Sequence, residues 1–181
     1  MGLAHVLFSE AGRENYEVVI NSLFRVTFIL PDGITPEPLL TEHVISVTGW
    51  KDSGAESVQQ QHNSARRNYA STDIDNTQEL EFMFSLNLNK LNQNYVYKKI
   101  KEWRKRVFNP LTGEYGVKSE YVGQVIVERL DKKEEVIWSR TLHNAWVKGD
   151  LTGLDDFDIT NGEPIQMPCS IIGDYYTETE K

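Results

Sequence analysis

The chain has one stretch that can only be an amphipathic helix, and period-two sequence lies on both sides of it. Residues 94–108 read NYVYKKIKEWRKRVF. Val96, Ile100, Trp103 and Val107 recur at spacings of four, three and four, which puts them on one narrow face. Lys98, Lys101 and Lys105 fall opposite, with Glu102. Asn92 or Asn94 supplies a cap for the first orphan N–H groups. Arg104, Lys105 and Arg106 crowd the last turn, where cations complement the helix dipole. Asn109-Pro110 ends it, because the residue before proline is pushed out of the helical region. One helix with one apolar stripe, set between two β-rich halves, must pack on the sheet those halves build.

The clearest strand signal is QELEFMFSLNLN at residues 78–89. Leu80, Phe82, Phe84, Leu86 and Leu88 alternate with Glu79, Glu81, Met83, Ser85, Asn87 and Asn89. That is a sheet with a buried side and a wet side, extending roughly 40 Å at about 3.3 Å per residue. Residues 23–30 and 44–50 read as earlier strands, the first turned by Pro31-Asp32-Gly33. Residues 121–129 and 135–142 form a later pair about a charged turn, with 145–147 as an extension. Residues 164–176 close the sheet. The expected fold is mainly β: an antiparallel sandwich or barrel, residues 21–181, with an extended N-terminal arm over 1–20.

Residues 51–72 interrupt this order. They contain a single β-branched aliphatic residue, Val58, and almost nothing to form a core. A stretch this long is either disordered or an excursion with a function. If residues 56–61 are extended, it is a polar hairpin, marginal alone. That points to pairing with another subunit, through Glu56, Gln60, His62, Arg66 and Arg67.

Chemistry is sparse. His5, His43, His62 and His143 have no metal-ligand spacing, and Cys169 is the only cysteine, so no intrachain disulfide exists. Asp73-Ile74-Asp75 lies in turn-forming sequence. Asp156-Phe157-Asp158 with Asn161-Gly162 approximates a calcium loop, but the glycine comes one place late and Met167 stands where the bidentate Glu belongs. Phosphate-loop and nucleophile-elbow motifs are missing. No catalytic residue, metal site or cofactor is expected. The N-terminus lacks the basic and apolar regions of a signal peptide, and no apolar run approaches the roughly 18 residues of a membrane helix. Stable membrane association is not expected.

The net charge is −8, unevenly spread: residues 95–108 carry +5 and the remainder −13. An acidic body of this kind repels phosphate over most of its surface. The helix charge fits a solvated face and a docking role equally well. A wet-faced strand, a long polar hairpin, an arm and no site describe a building block.

In this order the features resemble the tail tube proteins of contractile-tailed bacteriophages, with the tubes of contractile injection systems and type VI secretion as relatives. Asn21-Ser22-Leu23-Phe24-Arg25-Val26 is similar to the opening strand of that family, and Val47-Thr48-Gly49-Trp50 to the strand end before its extended hairpin. Residues 138–146, WSRTLHNAW, resemble its W-x-L-x-x-A-W/F segment. The last strand lacks the family's Glu-rich start and His-containing finish.

The resemblance implies hexameric rings stacked into a hollow tube for DNA delivery. Its partners would be copies of itself, a tail sheath, baseplate and terminator proteins, and DNA in transit. It implies a late structural protein of the virion tail, assembled in the host cytoplasm. Glu79, Glu81, Ser85 and Asn87 are then candidates for the lumen, and Lys98, Lys101 and Lys105 for the sheath contact. The alternatives are an injection-system tube subunit, a β-sandwich carbohydrate-binding module and a small β-barrel enzyme.

Overall fold

The alternation over residues 78–85 is realised residue by residue. In the computed structural model Gln78, Leu80, Phe82 and Phe84 are buried, while Glu79 and Glu81 are exposed. The structure describes residues 20–36, 39–52, 54, 57–62, 65–71, 76–86, 95–151 and 164–180. Residues 1–19 of the proposed arm, the helix caps, both aspartate pairs, Glu56 and Asn87 lie outside them.

In chain order the elements are strand β1 (Phe24–Ile29), helical turn α1 (Leu39–Glu42), β2 (Val44–Thr48), β3 (Ser57–His62), β4 (Ala65–Ala70) and β5 (Gln78–Ser85). Helix α2 (Tyr95–Val107) follows, then β6 (Phe108–Asn109), β7 (Glu114–Tyr115) and the helical turn α3 (Lys118–Tyr121). The chain closes with β8 (Gly123–Leu130), β9 (Val136–Lys148), β10 (Gln166–Gly173) and β11 (Tyr175–Glu180). All pairings are antiparallel, as expected for a mainly β chain.

Two sheets face each other. One is ordered β1-β8-β9-β11, the other β9-β10-β5-β2. Strand β9 belongs to both: Trp138 to His143 pair with β11, and Trp146 to Lys148 pair with β10. It turns between them at Asn144, whose φ is 52°. The single closing strand expected over 164–176 is two strands, β10 and β11, which bend beside β9 at Asp174. The Asn144 side-chain amide donates to the Asp174 carboxylate at 2.9 Å, and the Asp174 N–H donates to the His143 carbonyl at 3.1 Å. Next to the bend, a Cβ on Gly173 would lie 2.5 Å from the Leu142 side chain, so the two strands meet this closely only with glycine there.

Lys118 of α3 completes the corner, donating to both Asp174 oxygens at 2.8 and 2.6 Å. Hydrogen bonds from Lys118 and then Asn144 hold the Asp174 carboxyl below its ordinary value of 3.8. A carboxyl depressed in the folded state stabilises fully above its unfolded pKa, and that contribution is lost as pH falls through the folded pKa. Asp174→Asn is therefore expected to flatten the fall in Tm below about pH 4, measured by thermal melts.

The core between the sheets is formed by Leu80, Phe82, Phe84, Met167, Cys169 and Ile171 from one sheet and by Val26, Val125, Val127 and Leu142 from the other. Helix α2 lies against β9 and buries Val96, Ile100 and Trp103. The Trp103 indole N–H donates to the Tyr121 carbonyl at 2.8 Å. The last turn is caught by the Gly116 N–H on the Val107 carbonyl at 3.0 Å. The expected turn after β8 is present: the Asp131 carboxylate accepts from the N–H groups of Lys133 and Glu135, each at 2.8 Å.

The excursion is a hairpin. Strands β3 and β4 pair with each other in register from Ser57–Ala70 to His62–Ala65 and form their own two-stranded sheet.

Candidate assembly surfaces

Three surfaces were expected to carry function: the wet face of β5, the hairpin and the basic face of α2. Each is built differently.

On β5, Glu79 and Glu81 project outward because Leu80 and Phe82 project in. Glu79 is not a free charge. Its carboxylate accepts from Lys148 of β9 at 2.7 Å and from the Ser170 hydroxyl of β10 at 2.9 Å. These hydrogen bonds, Lys148 first, hold it below the usual carboxylate range. Glu81 makes no ion pair with a described residue. Ser85 is half-buried, and its N–H donates to the His43 carbonyl at 2.8 Å. Around them stand Ser46, Thr48, Pro168 and Ser170, lining a shallow groove. Over the described residues the face is a plate of small polar side chains with its charges partly matched.

The hairpin exposes the described side chains of both strands. Gln60 lies opposite Arg67, and Gln61 opposite Arg66, so the two arginines sit beside neutral amides. His62 is the last residue of β3. Its root is tied to the body. The Lys51 N–H donates to Oε1 of Gln78, a buried glutamine, at 2.9 Å, joining the outgoing and returning chain. Gly49 has φ 104°, and a Cβ there would stand 2.3 Å from the Glu79 carbonyl oxygen.

On α2 the exposed lysines are Lys98, Lys101 and Lys105. Lys101 leans over the Tyr97 ring at 5.0 Å, whereas Lys98 and Lys105 make no ion pair with a described residue. Their neighbours are engaged: Lys99 pairs with Glu102 at 3.2 Å, and Arg104 with Asp150. Lys98, Lys101 and Lys105 face outward with Arg106 exposed beside them, while Lys99 and Arg104 are used within the fold.

A fourth cluster was not anticipated. The Arg140 guanidinium lies 4.6 Å from the Trp138 ring, 5.2 Å from Tyr176 and 5.5 Å from Trp50. It donates to Glu178 at 2.8 Å and to Asp52 at 2.6 Å. Hydrogen bonds from the Trp138 indole and then Arg140 hold the Glu178 carboxyl below the usual range. The cluster joins β9, β11 and the hairpin root. Its one sequence signal is the spacing of Trp138 and Arg140, two apart on a strand and hence on one face.

The described residues hold no group of three His, Cys, Asp or Glu side chains placed for a metal. Burial pushes the Cys169 thiol up to about 12, which leaves it unreactive as a nucleophile. No described helix is long and apolar enough to cross a membrane.

Neither a family model nor a curated protein sequence matches the chain. Solved structures do. A chain in the cryo-EM structure of the anti-feeding prophage cap, the tube-terminating cap, is 15% identical with a TM-score of 0.65, over 92% of this chain and 93% of that one. A chain of the PVC sheath-tube complex, from an extracellular contractile injection system in its extended state, is 10% identical with a TM-score of 0.63, over 100% and 99%. A chain of the PVC sheath/tube terminator is 11% identical with a TM-score of 0.63, over 91% and 99%.

Proposed function

We propose that this chain, whose fold is that of contractile-system tube and cap proteins, is a structural tube subunit without catalytic activity. The observation that carries this reading is the extent of the likeness, at least nine-tenths of both chains in each comparison. In the proposed assembly, six copies form a ring, rings stack into a tube, and sheath, terminator and baseplate proteins surround and end it. The tube is built in the host cytoplasm and acts in the virion tail, passing DNA. A second reading, a tube subunit of an injection apparatus, is favoured by the systems in which the similar chains occur. Negative-stain microscopy of the purified protein tests the class. Sixfold rings or tubes are expected, and a monodisperse monomer at high concentration overturns the proposal.

In this assembly the β5 face lines the channel. A polyanion slides past a face whose cation Lys148 is matched by Glu79, because binding to a strand requires phosphate neutralisation by Lys or Arg. Glu81→Lys adds a cation without removing an ion pair. Glu79→Lys also breaks the ties to Lys148 and Ser170. The double variant is expected to assemble and to slow DNA delivery. Normal delivery from correctly assembled particles counts against a luminal position.

The basic face of α2 is assigned to the sheath. Reversing Lys98, Lys101 and Lys105 to Glu is expected to leave tube formation intact and to cut sheath recruitment, since charges of this kind set encounter and register. Fully sheathed tails at wild-type yield return the face to the role of solvated surface.

A further inference from the structure

The segment after α2 presents an apolar projection. Leu111 is 85% exposed, Tyr115 79% and Val117 63%. They are held there by a rigid turn. The Gly113 N–H donates to the Asn109 carbonyl at 2.8 Å, the Leu111 N–H to the Asn109 side-chain oxygen at 3.1 Å, and the Phe108 and Tyr115 rings stand 4.7 Å apart. Three large apolar side chains exposed within residues 111–117 mark a contact site, and the ordered turn lowers the entropic cost of using it.

An opening of the matching kind lies elsewhere. Strands β1 and β2 end the sheet path, and neither has a strand partner on its outer edge among the described residues. Between them is a cavity of about 700 Å³, lined by Phe24, Val44, Ile45, Val47, Trp50 and Trp138 among others. Ile45 is 45% exposed there. Strand β8 separates the two features. Its Gly123 end follows the projection, and its Val127, Glu128 and Arg129 reach the cavity, roughly 13–20 Å further along at 3.3 Å per residue.

We infer that the projection carrying Leu111 and Tyr115 enters the cleft between β1 and β2 of a second copy of this chain. The occupant is a second copy because one chain carries both halves of the contact, at different positions along the same strand. Such a contact is heterologous: it does not close a twofold dimer but repeats with one polarity. The charged groups that line the cleft are engaged, Glu128 with Arg25 at 2.6 Å and Arg129 with Asn21 at 3.1 Å, so the opening suits an apolar tip. The inference rests on the tube reading and names one of its contacts.

Cysteine pairing tests it. Leu111→Cys and Ile45→Cys are placed in separate chains. Both sites are exposed, and Cys169, buried with its thiol pushed up to about 12, does not compete. An equimolar mixture, assembled and treated with a mild oxidant, is expected to give a cross-linked dimer on a non-reducing gel, at least tenfold above either variant alone. Leu111→Glu, which leaves the Phe108–Tyr115 ring contact intact, is expected to raise the assembly concentration at least tenfold with an unchanged Tm. Assembled particles without the mixed cross-link overturn this contact and leave the tube reading standing. Efficient cross-linking of Leu111→Cys to itself also overturns it, because that requires a twofold contact. Failure of the wild-type protein to assemble at any concentration removes both.

Discussion

Replacing residues 53–71 with a short Gly-Ser linker is expected to leave a cooperatively folded monomer that builds no tubes. The hairpin side chains described are all exposed, and the two strands pair only with each other. Removing them takes nothing from the core around Phe82, Phe84 and Met167. The ties at the root, Gly49 over Glu79 and Lys51 on Gln78, lie outside the replaced segment. So does Asp52, which meets Arg140. Changing the length of a flexible connection costs only about 0.6 kcal/mol per doubling. Tm should therefore move by a few degrees at most, while microscopy shows single subunits. Normal tubes from the variant would sink the assignment of the hairpin to subunit contacts.

Trp103→Ala is expected to have the largest effect on the fold itself. Trp103 is fully buried at the point where α2, α3 and β8 meet. A Cβ on Gly123 would stand 3.2 Å from its ring, which shows how closely β8 approaches it. Truncating a buried aromatic of this size costs about 3–5 kcal/mol. Loss of the indole also leaves the Tyr121 carbonyl without its 2.8 Å donor. Against a typical total of about 5–15 kcal/mol, that loss brings the chain close to unfolding. Denaturant titration checks it, and Trp103→Phe, which keeps most of the volume, should cost less than half as much.

Where period and burial coincide, the sequence was sufficient. Leu80, Phe82 and Phe84 form a buried face, and Val96, Ile100 and Trp103 a helix seam, because nothing but apolar spacing decides those positions. The hairpin was one of two readings open to a stretch with almost nothing to form a core. Pairings between distant strands were not readable. Glu79 looked like a free luminal carboxylate, yet Lys148 and Ser170, which engage it, come from strands 69 and 91 residues away. Arg140 sits in a strand where spacing marks only Trp138 as a neighbour, because Trp50 and Tyr176 reach it through the fold. The projection at Leu111 and Tyr115 has no apolar period to mark it. Composition does not show that a turn is held rigid with its apolar residues outward.

The shared strand β9 has a mechanical consequence. Many sandwiches are two plates held together by the side chains between them. Here the backbone itself passes from one plate to the other at Asn144, and the β10–β11 segment makes the same crossing beside it at Asp174. A force applied to one sheet is carried to the other through covalent bonds and a paired ladder, without waiting for side chains to slip. The subunit should shear and fail as one body.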